Sequence, residues 1–158
     1  MKIFRRAVAL PPDTAACIGA FDGLHLGHQA LLRRASQVAG KIALVTFEPH
    51  PAQVLAPERA PAMIQTPEQR IRVCTQLGID VLALLPFNPS VAALTPTAFV
   101  DQFLRDGLRP AAVVIGPDFR FGARRAGGIP ELRALLQPSG TQVLIAEEVP
   151  LPGGQSGA

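Results

Sequence analysis

Two histidines three residues apart, inside a glycine-rich stretch, are the side chains best suited to chemistry in this chain. His25 and His28 lie between an apolar run that ends at Ile18 and a helical pattern that begins near Ala30. This order is typical of a strand, a tight loop and a helix, with both histidines at the helix entrance. The first turn of a helix has free N–H groups and a positive dipole end, which suit an anion. The stretch therefore predicts a loop that handles phosphate.

The other residues of this loop allow a bulky ligand to approach. Gly19, Gly23 and Gly27 leave room for close backbone contact or for positive φ. Asp22 could orient the loop, hold a ribose hydroxyl or serve only a turn, because Asp-Gly favours turns. The two histidines could instead hold a metal ion, but the sequence offers no third ligand at a fixed spacing.

The elements that must position this loop alternate between strands and helices. The sequence predicts strands over residues 14–19, 41–47, 81–85, 111–115 and 143–146. It predicts helices over residues 27–39, 66–77, 95–107 and 130–136, and an irregular flap over residues 52–65. The helix start at Thr66 is unusually complete, with a cap, a proline and the capping-box partner Gln69. The alternation predicts an α/β protein with a doubly wound, five-stranded parallel sheet of Rossmann-like type.

The candidate residues cluster after the predicted strands. Chemistry-bearing stretches follow the strands at Gly19, Thr46 and Gly116, and all three histidines of the chain lie in the first two of these stretches. In doubly wound sheets, ligands bind at the carboxyl ends of the strands, near the topological switch. The sequence therefore predicts one shared site at that edge.

Composition narrows the class of protein. The 158 residues fit one domain, and a net charge of +3 with no basic run longer than two residues argues against a nucleic-acid surface. No segment has the length of a membrane span, and prolines interrupt the only stretch resembling a signal peptide. Cys17 and Cys74 lie in apolar patterns, which predicts buried free thiols in a reducing compartment. We therefore expect a cytoplasmic protein.

Three motifs carry a resemblance to a known family. They are Gly-Ala-Phe-Asp-Gly-Leu-His-Leu-Gly-His (19–28), Thr-Phe-Glu-Pro-His-Pro (46–51) and Gly-Pro-Asp-Phe-Arg-Phe-Gly (116–122). The first resembles the signature of the His-x-Gly-His nucleotidylyltransferases. All three, in this order and spacing, resemble the FMN adenylyltransferase module of bacterial FAD synthetase.

The resemblance implies an activity and a site. It implies transfer of AMP from ATP, accompanied by Mg²⁺, to FMN, giving FAD and pyrophosphate. His25 and His28 would be catalytic through contacts with the ATP phosphates. The implied nucleotide-binding residues are Gly19, Ala20, Phe21, Asp22, Gly23 and Gly27. The implied FMN-binding residues are Phe47, His50, Asp118, Phe119, Arg120 and Phe121.

Several of these assignments have alternatives. Phe119 and Phe121 could equally pack in the core, and Arg124 and Arg125 could either meet a phosphate or simply be solvated. Glu48 could bind the metal or serve a cap or the surface. In place of the Gly127-Gly128 pair, the family usually has glycine followed by an acidic or amide residue.

The resemblance also predicts the domain organisation. Residues 1–149 form the adenylyltransferase-like domain, and residues 150–158 form a flexible tail. The family continues with a Ser-Ser-Thr-x-x-Arg segment that grips the triphosphate and with a riboflavin kinase module, neither of which is present here. We therefore expect impaired activity, expressed mainly as weak ATP binding. The alternatives are a nucleotidylyltransferase for another acceptor, such as phosphopantetheine or nicotinamide mononucleotide, and a non-catalytic flavin- or nucleotide-binding domain.

Overall fold

A parallel six-stranded sheet forms the centre of the molecule. The computed structural model describes residues 1–19, 26–59, 66–146, 150–151 and 155–156. The strands of the sheet are β1 (Lys2–Phe4), β2 (Thr14–Ile18), β3 (Lys41–Glu48), β4 (Val81–Pro86), β5 (Ala112–Ile115) and β6 (Gln142–Ile145). Their order is β1-β4-β3-β2-β5-β6, and every neighbouring pair is parallel. The predicted doubly wound α/β class is confirmed.

The predicted number of strands was wrong, because the sheet has an additional edge strand. β1 pairs with β4 in a register that aligns Ile3 with Leu82, and the Lys2 amide donates to the Asp80 carbonyl over 2.9 Å. Three residues are too few for a detectable hydrophobic period, so this strand is defined by its pairing with β4 and not by its own pattern.

The helices connect the strands. They are α1 (Leu26–Val38), α2 (Pro51–Leu55), α3 (Pro67–Gln76), α4 (Pro89–Ala92), α5 (Pro96–Phe99) and α6 (Ile129–Leu136). A π-helix over Val100–Leu108 continues α5 directly. The irregular flap predicted for residues 52–65 is wrong over its described part, where α2 and the 3-10 turn Pro57–Arg59 lie. Helices this short span too few turns for periodicity to reveal them. Residues 60–65 lie outside the described residues.

Both faces of the sheet are buried by helices. Side chains alternate along β4, so Ala83 packs on one face while Leu82 and Leu84 pack on the other. α1 and α3 cover the second face with Leu31, Ala35 and Cys74 among their buried residues. α5, the π-helix and α6 cover the first face. Burial on both faces explains the continuous apolar runs of the central strands.

The topology places the loops of interest on one edge. The chain moves from β2 to β3 and β4 in one direction, and from β5 to β6 in the other, so the winding reverses between β2 and β5. Gly19 follows β2, the Glu48–Pro49 peptide bond, which is cis, ends β3, and Gly116 follows β5. In sheets of this kind, this edge is where ligands bind.

Two short strands lie near the end of the chain. β7 (Pro150–Leu151) pairs antiparallel with β8 (Gln155–Ser156). The domain boundary at residue 149 and the flexibility of the tail stay predictions. Among the described residues, no helix combines the length and the apolar character that crossing a bilayer requires.

Candidate active site

The phosphate-handling loop is described only at its two ends. The Gly19 amide donates to the Val45 carbonyl over 3.1 Å, which ties the end of β2 to β3. Gly27 and His28 lie in the first turn of α1, where the structure describes the backbone but not the side chains. His25 and the four loop residues Ala20, Phe21, Asp22 and Gly23 lie outside the described residues. The helix entrance is therefore confirmed, and the contacts of both imidazoles stay predictions.

The loop after β3 joins an aromatic cluster. The half-buried Phe47 ring lies 5.8 Å from Phe87 and 6.0 Å from Phe103, both in edge-on geometry, and 5.9 Å from Phe99. Such contacts hold Phe47 against the core on the face covered by α5 and the π-helix. His50 is half-buried just beyond it. Contact of either residue with a flavin stays a prediction.

The loop after β5 places its two phenylalanines differently. Phe121 is buried and tilts onto Phe99 with ring centroids 5.6 Å apart, so its core-packing alternative is confirmed. Phe119 is half-buried and stacks on Phe121 at 5.9 Å with 20° between the ring planes. One face of the aromatic cluster thus extends toward solvent through Phe119, beside the exposed Asp118 and Arg120.

A small hairpin pairs Phe121 with Gly127 and leaves little room for a side chain at Gly127 or Gly128. Phe121 and Gly127 exchange two backbone hydrogen bonds of 3.0 and 2.9 Å. A Cβ on Gly127 would lie 2.6 Å from the Phe121 ring, and one on Gly128 would lie 2.8 Å from Nη1 of Arg120. Arg120 therefore occupies the space that a larger residue at position 128 would need. Its Nε donates to the Arg125 carbonyl over 3.1 Å, which closes the hairpin.

Two arginines in the turn of this hairpin have unusual backbone geometry. Arg124 and Arg125 have φ of 56° and 54°, in the left-handed region that residues other than glycine rarely adopt. Both side chains are exposed. Backbone strain of this kind concentrates at functional sites. The geometry holds both guanidinium groups at the carboxyl edge of the sheet.

A large cavity opens beside these arginines. Its volume is about 870 Å³, and one side of it is apolar. The lining residues are Val54, Leu55, Phe87, Pro89, Val91, Ala92, Ala93, Phe99, Gly122, Ala123, Arg124 and Arg125. An apolar wall with two adjacent cations fits a flat, weakly polar ring that carries a phosphate.

Most of the residues that line this cavity were not predicted from the sequence. None of the six residues predicted to bind FMN lines it, and its wall comes from α2, α4 and the ends of β4 and α5. One residue in the sequence could have indicated helix α4, which forms part of this wall. Asn88 is the N-cap of α4, and its side chain accepts a hydrogen bond from the Val91 amide over 2.9 Å. Asp118, Phe119 and Arg120 instead line a neighbouring depression of about 530 Å³, together with Arg125. Arg125 thus borders both spaces.

The charges at this edge are mostly positive among the described residues. Glu48 pairs with Arg5 at 3.2 Å across the exposed surface, and metal binding by Glu48 stays a prediction. No salt bridge holds Arg120, Arg124 or Arg125 within the described parts of the chain. The same residues include no group of three or more His, Cys, Asp or Glu that could hold a metal ion. Because Arg120, Arg124 and Arg125 form no salt bridge among the described residues, their charges favour an anion at this edge.

The fold and the position of the site define the class of protein. A doubly wound sheet with its candidate site at the switch point is an α/β fold of Rossmann-like type. The structure of pantoate-beta-alanine ligase from Francisella tularensis shares this fold, with a TM-score of 0.62 and 16% identity over 100% of this chain and 71% of that one. A structure described as a macrolide-efflux protein from Streptococcus pneumoniae aligns at a TM-score of 0.82 and 27% identity, over 98% of this chain and 54% of that one.

The amino-acid sequence identifies the family of the chain, which the shared fold does not. The FAD synthetase family model matches residues 8–155, so the chain belongs to the FAD synthetase family. It is 35% identical to the bifunctional riboflavin kinase/FMN adenylyltransferase of Pseudomonas fluorescens, over 97% of this chain and 51% of that protein. The Bacillus subtilis protein of the same name is 41% identical over 66% of this chain and 34% of its own length. The chain thus spans about half, or less, of the length of these relatives.

Proposed function

We propose that the chain transfers AMP from ATP to FMN, giving FAD and pyrophosphate. Family membership over residues 8–155 is the observation that carries this proposal. The site supports it, because three motif-bearing loops leave neighbouring strands on one edge beside a cavity with an apolar wall and two arginines. In the proposal, the flavin ring occupies that cavity, and Arg124 and Arg125 meet the FMN phosphate.

The proposed reaction needs no nucleophile from the protein. A phosphate oxygen of FMN attacks the α-phosphorus of ATP in line, the bond to the β-phosphate oxygen breaks, and pyrophosphate leaves with the electron pair. His25 and His28 would donate hydrogen bonds to phosphate oxygens where charge develops, so the protein contributes positioning and electrostatic stabilisation. Mg²⁺ would enter as part of the ATP complex, held largely by the phosphate oxygens. The proposal includes a cytoplasmic location, which suits the two buried free thiols.

Incubating the purified chain with FMN, ATP and Mg²⁺ and separating the products by chromatography tests this proposal. We expect FAD and pyrophosphate in equal amounts, with no FAD when ATP is omitted. His28→Ala should lower the rate about 10²–10³-fold, as expected for loss of one preorganised donor. FMN binding without any FAD, even at high protein concentration, would contradict the proposal and indicate a flavin-binding domain. AMP transfer to phosphopantetheine or nicotinamide mononucleotide in preference to FMN would contradict the acceptor.

A further inference from the structure

A buried arginine outside the motifs has no partner in the described part of the chain. Arg70 is only 8% exposed, and its Nε is inaccessible to solvent and makes no hydrogen bond. No carboxylate of the described residues forms a salt bridge with it. Taking a guanidinium out of water without a counter-charge is costly, so buried arginines are normally paired. Arg70 therefore has the properties of a residue whose anion comes from a ligand.

The helix that carries Arg70 begins at the edge of the sheet where the candidate site lies. At the far end of α3, the Ile79 amide donates to the Cys74 carbonyl, and the Asp80 amide donates to the Ile42 carbonyl near the start of β3. α3 therefore ends at the amino edge of the sheet and begins at the carboxyl edge. Arg70 is the fourth residue of α3, and helical side chains lean toward the helix N-terminus. Arg70 therefore lies in the part of α3 nearest the edge that carries the phosphate-handling loop.

The backbone around Arg70 is held by the cap of α3. α3 lies on the same face of the sheet as α1, whose first turn contains His28. The capping box of Thr66 and Gln69 fixes the first turn of α3, and the Arg70 amide donates to the Thr66 carbonyl over 3.0 Å. One turn later lies Cys74, which is fully buried. Arg70 and Cys74 thus lie on the buried side of α3.

From this arrangement we propose that Arg70 binds the phosphate groups of the nucleotide substrate. The identity of the anion rests on the proposed function. A guanidinium binds phosphate oxygens through two parallel hydrogen bonds, and such charge-assisted bonds strengthen when water is excluded. Bound triphosphate would supply the counter-charge that the described residues lack. Arg70 would hold ATP on the α1–α3 face, opposite the cavity proposed for the flavin.

Thermal unfolding of the 158-residue chain at constant ionic strength, titrated with MgATP, tests this role by binding alone. Ligand that binds only the native state raises Tm according to its concentration relative to Kd. Arg70→Met keeps the length of the side chain and removes the charge, so we expect an unchanged or higher Tm without ligand. It should need about 10–100-fold more MgATP, or inorganic pyrophosphate, for the same rise in Tm. Adenosine, which carries no phosphate, should affect both proteins equally.

Arg72→Met is the matched control, because Arg72 is an exposed residue of the same helix. It should respond to MgATP as the unmodified chain does. An equal response of Arg70→Met would overturn the proposal, and so would a chain whose Tm does not respond to MgATP at all. If Arg70→Met fails to fold, Arg70→Lys replaces it, because lysine keeps the charge but lacks the forked guanidinium. A response of Arg70→Lys to MgATP as strong as that of the unmodified chain would overturn the proposal.

Kinetics separate this inference from the proposed function. In FAD formation, Arg70→Met should raise KM for ATP and leave KM for FMN unchanged. A chain that binds MgATP through Arg70 but makes no FAD contradicts the proposed function and leaves the Arg70 inference intact. A chain that makes FAD with an Arg70→Met variant of unchanged ATP affinity contradicts only the Arg70 inference.

Discussion

At the residue scale, burial determines the chemistry of the cysteines. Cys17 lies in the central strand β2 with no exposed surface, and its Sγ donates to the Leu31 carbonyl over 3.7 Å. Burial disfavours the thiolate and raises the pKa of Cys17 from 9.0 to about 12. Burial also raises the pKa of Cys74, although the nearby charge of Arg70 opposes the shift. Neither thiol is a nucleophile at neutral pH.

The shifted pKa of Cys17 predicts a pH dependence of stability. Above pH 9 the unfolded chain releases the thiol proton while the native chain keeps it, so the free energy of unfolding falls as pH rises from about 9 to about 12. One such group contributes a slope of up to about 1.4 kcal/mol per pH unit. Urea unfolding of Cys17→Ala between pH 8 and about pH 11 should show a flatter decline than that of the unmodified chain. Parallel curves for the two proteins would contradict the assignment.

At the scale of elements, local sequence signals determine where α3 begins. Thr66 accepts from the Gln69 amide over 3.2 Å, and Gln69 Oε1 accepts from the Thr66 amide over 2.9 Å, so the capping box predicted from the sequence is confirmed. Pro67 occupies the first helical position, where its missing N–H is not needed. The same first turn presents Arg70, so the cap also orients the proposed phosphate-binding residue.

Removal of this cap should destabilise the protein without changing its fold. Thr66→Ala leaves the Gln69 amide without its side-chain acceptor and should lower the free energy of unfolding by about 1 kcal/mol. Thr75→Ala is the control, since Thr75 is an exposed residue within the same helix whose hydroxyl only donates to the Ile71 carbonyl. Urea unfolding should show little change for that variant. Equal losses in the two variants would mean that the cap contributes nothing specific.

At the scale of the whole molecule, the cavity forms only where separate segments meet. Its lining comes from α2, α4, α5 and the hairpin after β5, which are brought together at one edge by the doubly wound topology. Phe87 and Phe99 line it and contact the rings of Phe47 and Phe103. The apolar wall is therefore continuous with the close-packed core.

Filling the cavity should remove flavin binding selectively. Ala92 is half-buried and lines the cavity, so the ring of an Ala92→Phe variant would occupy space that the proposed flavin needs. We expect titration to show an FMN Kd raised by about tenfold or more, with MgATP binding unchanged. Ala111→Phe adds the same ring at an exposed position, where the Ala111 amide donates to the Thr14 carbonyl at the opposite edge of the sheet. Normal FMN binding by Ala92→Phe would exclude this cavity as the flavin site.

The sequence by itself determined the elements with strong local patterns. The apolar runs of β2 to β6 and the glycine-rich turn before α1 predicted the alternation of strands and helices, and thus the doubly wound sheet. The three motifs predicted the family, because residue types at fixed spacing are visible without coordinates. Edge strand β1 could not be predicted in this way, since its three residues are defined by pairing with β4.

Only the tertiary structure decided which side chains share a surface. Phe119 and Phe121 belong to the same motif, but Phe121 is buried in the core, where its ring packs against Gly127 of the hairpin. The wall of the cavity combines separate segments that lie between residues 54 and 125 of the sequence. The lack of a hydrogen-bond partner for Arg70 Nε is seen only when α3 is packed on the sheet. Burial and long-range proximity depend on how the elements pack together, and no local pattern encodes them.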